Sequence, residues 1–159
     1  MRDLISIELF TGVEKTIRTG ISQLIEQGQR ISIISDANLL GALSIAPLEA
    51  SLIDSNLPYR RRIGKIDNAV PRYSIIIHNN GDARGVSWDN EKKVLSISET
   101  LSPALSGHLG DDKIGPLTTV AMCHSIAQLI SPSGVLVRKI RPWSISGNWI
   151  HACMDMTYD

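Results

Sequence analysis

The stretch Ile31–Ser35 reads Ile-Ser-Ile-Ile-Ser, and residues 73–77 follow a similar pattern, Tyr-Ser-Ile-Ile-Ile. Short β-branched runs that end in turn residues are typical of buried strands. The composition agrees with this interpretation, because the chain has 22 isoleucines whereas aromatic residues make up only 4% of it. The sequence therefore predicts an aliphatic core built around a sheet.

Helical patterns lie on both sides of the first strand. Residues 11–14, Thr-Gly-Val-Glu, have the form of a capping box with Thr11 as the N-cap. The apolar spacing that follows predicts a helix that ends at Gly28. A second helical pattern covers residues 38–54, and Pro47 should kink or split this helix.

After the second helix the chain is predicted to alternate strands and loops. Strands are expected at residues 60–63 and 94–97, in addition to the run at residues 73–77. Loops are expected at residues 81–90, which are polar, and at residues 106–115, which contain three glycines.

The last part of the chain is predicted to be mainly helical. Pro116 should open a helix that runs to Ile130, residues 135–140 fit either a strand or a helix, and residues 147–156 favour a helix. The order strand, helix, strand, strand, helix predicts an α/β fold with a mainly parallel sheet flanked by helices. At this length residues 1–159 should form a single domain.

The charge and cysteine content exclude several classes of protein. Lys+Arg and Asp+Glu both number 16, so the net charge is zero, which argues against binding nucleic acid through bulk charge. Two cysteines do not make a disulfide framework. No apolar run approaches the roughly 20 residues of a membrane span, and the N-terminus lacks the pattern of a signal peptide. We therefore expect a cytoplasmic protein with no membrane association.

Polar residues follow two of the predicted parallel strands at their carboxyl ends, where sites form in α/β sheets. Residues 35–38 follow the first strand and residues 78–82 follow the third. A hydrolase that uses two cations needs clustered carboxylates there. These loops instead carry mainly Asp36, His78 and three asparagines, so the sequence places a site in this position without its usual ligands.

Residues 31–59 resemble the first motif of the DHH phosphoesterase superfamily, in particular of its archaeal RecJ-like members. In that group a hydrophobic strand ends in Ser-His-x-Asp-x-Asp-Gly, and a helix of small residues then leads to Gly-Ile-Pro-aromatic. The chain keeps the strand, the helix, Ser35, Gly41 and the run Asn-Leu-Pro-Tyr at residues 56–59. Where the family has His, Asp and Asp, it has different residues, namely Asp36, Asn38 and Leu40.

Later segments resemble other motifs of the same superfamily. The segment His78, Asn79 and Asn80 resembles the Asp-His-His motif that names the superfamily, with all three polar positions changed. Residues 148–156 resemble the Gly-Ala-Ile-Gly-Asp-Met stretch, in which Asp155 is the one matching carboxylate. The run Ile-Gly-Pro at residues 114–116 resembles the start of a helix that follows these motifs.

The resemblance implies a single DHH domain over residues 1–159 whose catalytic positions are degenerate, without the family's second domain, and with no metal and no cofactor. Non-catalytic relatives, among them archaeal RecJ-like proteins and the cell division cycle protein 45 homologues, serve in DNA replication. The resemblance therefore implies an adaptor, associated with the nucleoid, that binds the GINS complex and through it the MCM helicase.

Two alternatives from other classes stay open. One is a manganese-dependent exonuclease or phosphoesterase acting on single-stranded DNA, with Asp36, His78, Asp82 and Asp155 in an altered site. The other is a module that binds single-stranded DNA. Two basic clusters are candidate contacts to phosphate or to an acidic partner: Arg60 and Arg62, with Arg61 on the opposite strand face, and Arg138, Lys139 and Arg141.

Ordinary structural roles are favoured for several of these polar residues. Asp36 is expected to be an N-cap or turn residue, and His78 a satisfied polar residue at a strand end. Cys123 falls on an apolar helical stripe and is expected to be a small buried hydrophobe. The remaining candidates fit a helical pair or a solvated loop: His151 with Asp155, and His108, Asp111 and Asp112.

Overall fold

The computed structural model describes residues 3–66, 69–80, 85–106 and 112–150. Two short 3-10 helices, Leu4–Ser6 and Glu8–Phe10, precede the main elements. The helices are α1 (Glu14–Glu26), α2 (Leu39–Asp54), α3 (Thr119–Ile130) and α4 (Val135–Ile150). The strands are β1 (Ile31–Ser35), β2 (Tyr59–Ile63), β3 (Ser74–His78), β4 (Val86–Asp89), β5 (Val94–Ser98), β6 (Thr100–Ser106) and β7 (Asp112–Leu117).

The first five strands form one sheet in the order β2-β1-β3-β5-β4, in which only β4 is antiparallel to its neighbour. The α/β fold with a mainly parallel sheet flanked by helices is thereby confirmed. From β1 the chain first adds β2 on one side and then β3 on the other. The strand order therefore reverses between β1 and β3, and ligands of open α/β sheets bind in the crevice at such a reversal.

The core lies between the sheet and the helices α1, α2 and α3. It contains residues from every layer: Ile33, Ile75, Leu95, Ile17, Leu48 and Ile126, each fully buried. Burial of each such side chain contributes about 1.5–3 kcal/mol relative to exposure. Helix α4 packs on the outside of α2 and α3, where Val137 contacts Ala50 and Ala127 in a smaller cluster.

The predicted end of α1 is confirmed, whereas the predicted start of α1 is wrong. The helix ends as predicted, because Gly28 has a φ of 59° just past its last turn. The capping box is wrong, since α1 begins at Glu14 and its N-cap, Val13, makes no side-chain cap bond. The Thr11 hydroxyl instead donates to the carbonyl oxygen of Glu8 at 2.7 Å, because the preceding residues form a 3-10 helix whose carbonyl is within its reach.

The second helix, α2, is a single element that continues through Pro47, so of the kink or split expected there the split is wrong. A proline inside a helix removes one backbone hydrogen bond. Pro47 is buried, as are Leu48 and Ser51 beside it, and packing against α3 and α4 holds the helix together across the missing bond.

Two regions expected to be loops contain strands. Residues 86–89 form β4, where Val86 and Trp88 are half-buried and the residues between and after them are exposed. Trp88 lies against Gly20 of α1, where an added Cβ would come within 2.9 Å of the indole ring. Residues 81–84 lie outside the described part of the chain. This strand was missed because its alternation covers only four residues.

The second of these regions pairs as a two-stranded ribbon of β6 and β7, and residues 107–111 lie outside the described part. Pro116 belongs to β7, opposite Leu101, so the helix start expected at residues 114–116 is wrong. Helix α3 begins at Thr119, because the Thr118 hydroxyl accepts a bond of 3.1 Å from the backbone N–H of Ala121.

The ambiguous residues 135–140 belong to helix α4, which ends at Ile150. The remainder of the helix expected at residues 147–156 lies outside the described residues. Among the helices that the structure describes, none combines the length and the apolar character that a membrane span requires.

Candidate functional site

The carboxyl end of β1 leads directly into α2, and the turn between them is fixed by polar contacts. The Asn38 side chain accepts a hydrogen bond of 2.7 Å from the backbone N–H of Gly41, so Asn38 is the N-cap of α2. Asp36 is not the N-cap. It is a turn residue whose carbonyl oxygen accepts from the backbone N–H of Asn38 at 3.0 Å, and its carboxylate remains available for other contacts.

Gly41 lies where the first turn of α2 passes closest to the end of β1. A Cβ at this position would be 2.5 Å from the Ser35 hydroxyl and would also meet the carbonyl oxygen of Asp36. A contact with backbone oxygen is not relieved by moving a flexible side chain. Any larger residue would therefore displace α2 from the end of β1, and with it the cap at Asn38.

Asn79 follows β3 and joins the two neighbouring strand ends. Its backbone N–H donates to the Asp36 carboxylate at 3.2 Å, and its side-chain N–H donates to the Ser35 hydroxyl over a long 3.5 Å. Its side-chain oxygen accepts a bond of 2.6 Å from the Thr119 hydroxyl. The buried Ser44 hydroxyl donates in turn to the Thr119 oxygen at 3.2 Å.

These contacts form one network, which we call the rim network, of Ser35, Asp36, Ser44, Asn79 and Thr119. It connects β1, β3, α2 and α3 at the crevice where the strand order reverses. The network thus brings together residues that follow the first and third strands, as carboxyl ends of parallel strands do. The other residues of these motifs lie at its border: Leu40 and His78 are half-buried, and Asn80 is exposed.

The rim network is chemically almost neutral. It contains one carboxylate, one amide and three hydroxyl groups. Hard divalent cations used in hydrolysis require several anionic oxygens. Across residues 3–66, 69–80, 85–106 and 112–150, no group of three or more His, Cys, Asp or Glu side chains could hold a metal ion. The residues of the rim network can hold the ends of these strands and helices together. Their one carboxylate supplies too little negative charge to bind two divalent cations.

Several predicted candidates fall outside the described residues. They are Asp82, His108, Asp111, His151 and Asp155. For Asp112 the structure describes the backbone, as the first residue of β7, and not the side chain.

The two basic clusters lie on different elements. The expected alternation along β2 is confirmed, since Arg60 Nε donates to the Ser32 hydroxyl at 2.8 Å while Arg61 pairs with Glu49 of α2 at 3.0 Å. Arg62 is exposed on the same strand. The second cluster, Arg138, Lys139 and Arg141, is exposed on α4.

Sequence reasoning missed Ser44 and Thr119 because their partners are distant in the chain. A signal was present for the second, since Thr-Thr precedes the apolar pattern of α3 and threonine is a favoured N-cap. Cys123, on the same helix, is fully buried as predicted, and burial raises the pKa of its thiol well above the usual range, an effect that a side-chain hydrogen bond with Ser44 partly opposes.

Two further polar groups support the outer helix. The Asp54 carboxylate accepts from the backbone N–H groups of Leu136 and Val137 at 2.9 and 3.1 Å, so it caps the first turn of α4 from the end of α2. His124 of α3 is 8% exposed and its Nδ1 atom is buried without a hydrogen-bond partner. Burial lowers the pKa of this imidazole, and the positive charge of Arg141 lowers it further.

Comparison of the chain with models of protein families, with curated proteins and with solved structures finds no match.

Proposed function

We propose that this chain is a non-catalytic domain of the archaeal RecJ-like type. It acts as an adaptor in DNA replication by binding the GINS complex and, through GINS, the MCM helicase. One observation carries the proposal: the Asn79 amide, at a position that resembles a catalytic motif, is held between the Ser35 and Thr119 hydroxyls.

The neutral character of the rim supports a scaffold that needs no cations to fold. Clustered carboxylates repel one another. Without a cation to neutralise them, at least one of them stays protonated. Here Asp36 is the single carboxylate of the network, and it accepts a hydrogen bond of 3.2 Å from the backbone N–H of Asn79. Among the described residues, hydrogen bonds join these strand ends.

An adaptor also needs an exposed surface that a protein partner can bury. Leu101 and Ile114, on the two strands of the β6–β7 ribbon, are 62% and 60% exposed. Leu101 is opposite Pro116, and Ile114 lies two residues from Pro116 along β7, on the same face of that strand. Adjacent exposed apolar side chains mark protein contacts, and we assign the GINS contact to this pair.

Retention of purified GINS on the immobilised chain tests the proposal. The wild-type chain should retain GINS, and Leu101→Ser combined with Ile114→Ser should lower retention at least about tenfold, as loss of a buried apolar contact pair does. Val135→Ser is the matched control, because Val135 is 60% exposed on α4. Its retention should equal that of the wild type.

The absence of any retention by the wild-type chain would refute the adaptor function. Manganese-dependent turnover of single-stranded DNA that disappears in Asp36→Asn would instead establish the exonuclease alternative. Equal loss of retention in the Val135→Ser control would show that the ribbon is not the contact.

A further inference from the structure

A cleft with a volume of about 260 Å³ opens beside β1 and β2, and the proposed function does not involve it. Its lining is formed by two short strand segments and one loop residue: Ser32, Ile33, Ile34, Arg60, Arg61, Arg62 and Pro71. Among the described residues that line it there are three arginines and no carboxylate. The cleft therefore combines positive charge with an apolar wall.

The strand register determines which arginines face the cleft. Arg60 is paired with Ser32 and Arg62 with Ile34, so these four side chains share one face of the sheet. Arg61 points to the other face, where it binds Glu49 of α2 at 3.0 Å. Arg60 and Arg62 are thus side by side, roughly 6.5 Å apart along the strand.

The guanidinium group of Arg60 is oriented before any ligand binds. Its Nε atom donates to the Ser32 hydroxyl at 2.8 Å. Arg60 and Arg62 are nevertheless exposed, so a ligand can reach both from solvent. A planar guanidinium forms two parallel hydrogen bonds to an oxyanion, and its geometry matches both phosphate and carboxylate.

We propose that this cleft is a binding site for a phosphate ester, with Arg60 and Arg62 contacting the phosphate oxygens. Pro71, which lines the cleft and is half-buried, contacts the less polar part of the ligand. The volume of about 260 Å³ is smaller than the roughly 300–1,000 Å³ typical of larger ligands. A single nucleotide or a sugar phosphate therefore fits better than an extended cofactor.

Titration with three probes tests the site: inorganic phosphate, adenosine monophosphate and a short thymidine oligonucleotide. The wild-type chain should bind adenosine monophosphate saturably, and Arg60→Gln combined with Arg62→Gln should weaken binding at least about tenfold, since charge-assisted hydrogen bonds are lost. The control is Arg138→Gln with Lys139→Gln, which removes the same charge from α4 and should leave affinity within about twofold.

Arg60→Lys gives a second readout that does not depend on the double variant. It keeps the positive charge but loses the two parallel hydrogen bonds that a guanidinium can form and the bond to Ser32. We therefore expect its affinity to lie between that of the wild type and that of the double variant. Circular dichroism and melting confirm that each variant is folded. Retention of GINS should be unchanged in all of them, so this proposal and the adaptor function fail separately.

The probes also distinguish the source of the phosphate. Binding of the monophosphate with the expected variant dependence assigns the cleft to small phosphate esters, and binding of the oligonucleotide alone with that dependence assigns it to a nucleic-acid strand. The absence of saturable binding by all three probes, or equal weakening in the α4 control, would overturn the proposal. Equally tight binding of a polyglutamate peptide, titrated as a fourth probe, would also overturn it, in favour of an acidic protein segment.

Discussion

The side-chain oxygen of Asn79 accepts a hydrogen bond of 2.6 Å from the Thr119 hydroxyl, and this contact joins the end of β3 to the first residue of α3. Thr119 is 4% exposed, so its hydroxyl could not replace the bond with water without local opening. Because Ser44 of α2 also binds Thr119, one hydroxyl group couples three elements at the crevice.

Replacing Thr119 with valine tests this coupling. The variant keeps the side-chain volume and leaves Asn79 and Ser44 without their shared partner, so the free energy of unfolding should fall by about 1–3 kcal/mol. Thr19→Val, at an exposed position of α1, should change it by less than about 0.5 kcal/mol. Chemical denaturation measures both.

A double-mutant cycle of Ser44→Ala and Thr119→Val measures the second contact. The two hydroxyl oxygens are 3.2 Å apart in a buried site, so their effects should not add. We expect a coupling free energy of about 0.5–3 kcal/mol, the range for residues in one hydrogen-bond network. Strict additivity would show that the Ser44 hydroxyl does not bind Thr119.

Gly41→Ala should destabilise the fold by about 1–3 kcal/mol, because the added methyl group overpacks the junction of β1 and α2. Its Cβ would lie 2.5 Å from the Ser35 hydroxyl. Gly12→Ala is the control, since nothing lies within 4 Å of a Cβ there. The control should be neutral or slightly stabilising in thermal unfolding. Equal effects of both changes would contradict the close packing at Gly41.

Removal of the Asp54 carboxylate should loosen α4 selectively. Asp54→Ala leaves two N–H groups of the first turn of α4 without their acceptor and should cost about 0.5–2 kcal/mol. Amide hydrogen exchange should accelerate at Leu136 and Val137, which donate to Asp54, and stay unchanged at Ile33 in the central strand. Uniform acceleration across the sheet would show that Asp54 does not act on α4 alone.

Acidification should destabilise the protein through His124. The pKa of this buried imidazole lies below its ordinary value of 6.5, mainly because burial disfavours the charged form and also because Arg141 repels it. The unfolded chain therefore takes up a proton first as the pH falls through 6.5, and the free energy of unfolding decreases. The stabilisation that comes from burying the neutral imidazole is complete above pH 6.5. It is lost as the pH falls towards the lower pKa that His124 has in the folded protein.

Two variants isolate this effect in denaturation measured between about pH 8 and about pH 5. His124→Gln should flatten the dependence below pH 6.5, where the unfolded chain binds the proton and the folded chain does not. Arg141→Gln should weaken it, since one of the two causes is removed. An unchanged pH profile in His124→Gln would contradict the assignment.

The sequence predicted most reliably the elements whose residues carry their own local pattern. The bounds of β1 agree with expectation at both ends, because a β-branched run is followed there by turn residues. β6 contains a proline, which weakens a strand pattern. Its strand structure comes from pairing with β7, a contact that local propensity does not encode.

The residues of the candidate site also differ in whether the sequence could predict them. Ser35, Asp36 and Asn79 could be found because carboxyl ends of parallel strands meet at one edge. Thr119 lies 40 residues from Asn79 and 75 from Ser44, so no spacing in the sequence connects them. Arg60 and Arg62 were recognised as basic residues, whereas the cleft they share with Pro71 depends on how the connection after β2 returns across the sheet.

The central claim, that the rim network of described residues lacks the charge for two catalytic cations, is tested most directly by titrating the full chain with manganese while single-stranded DNA turnover is followed. Asn38→Asp with Leu40→Asp, which adds two carboxylates near Asp36, provides the comparison. We predict no saturable manganese binding by the wild type below about millimolar concentration and no turnover, with tighter binding in the variant. Two manganese ions bound by the wild type at micromolar concentration, with turnover lost in Asp36→Asn, would contradict the account.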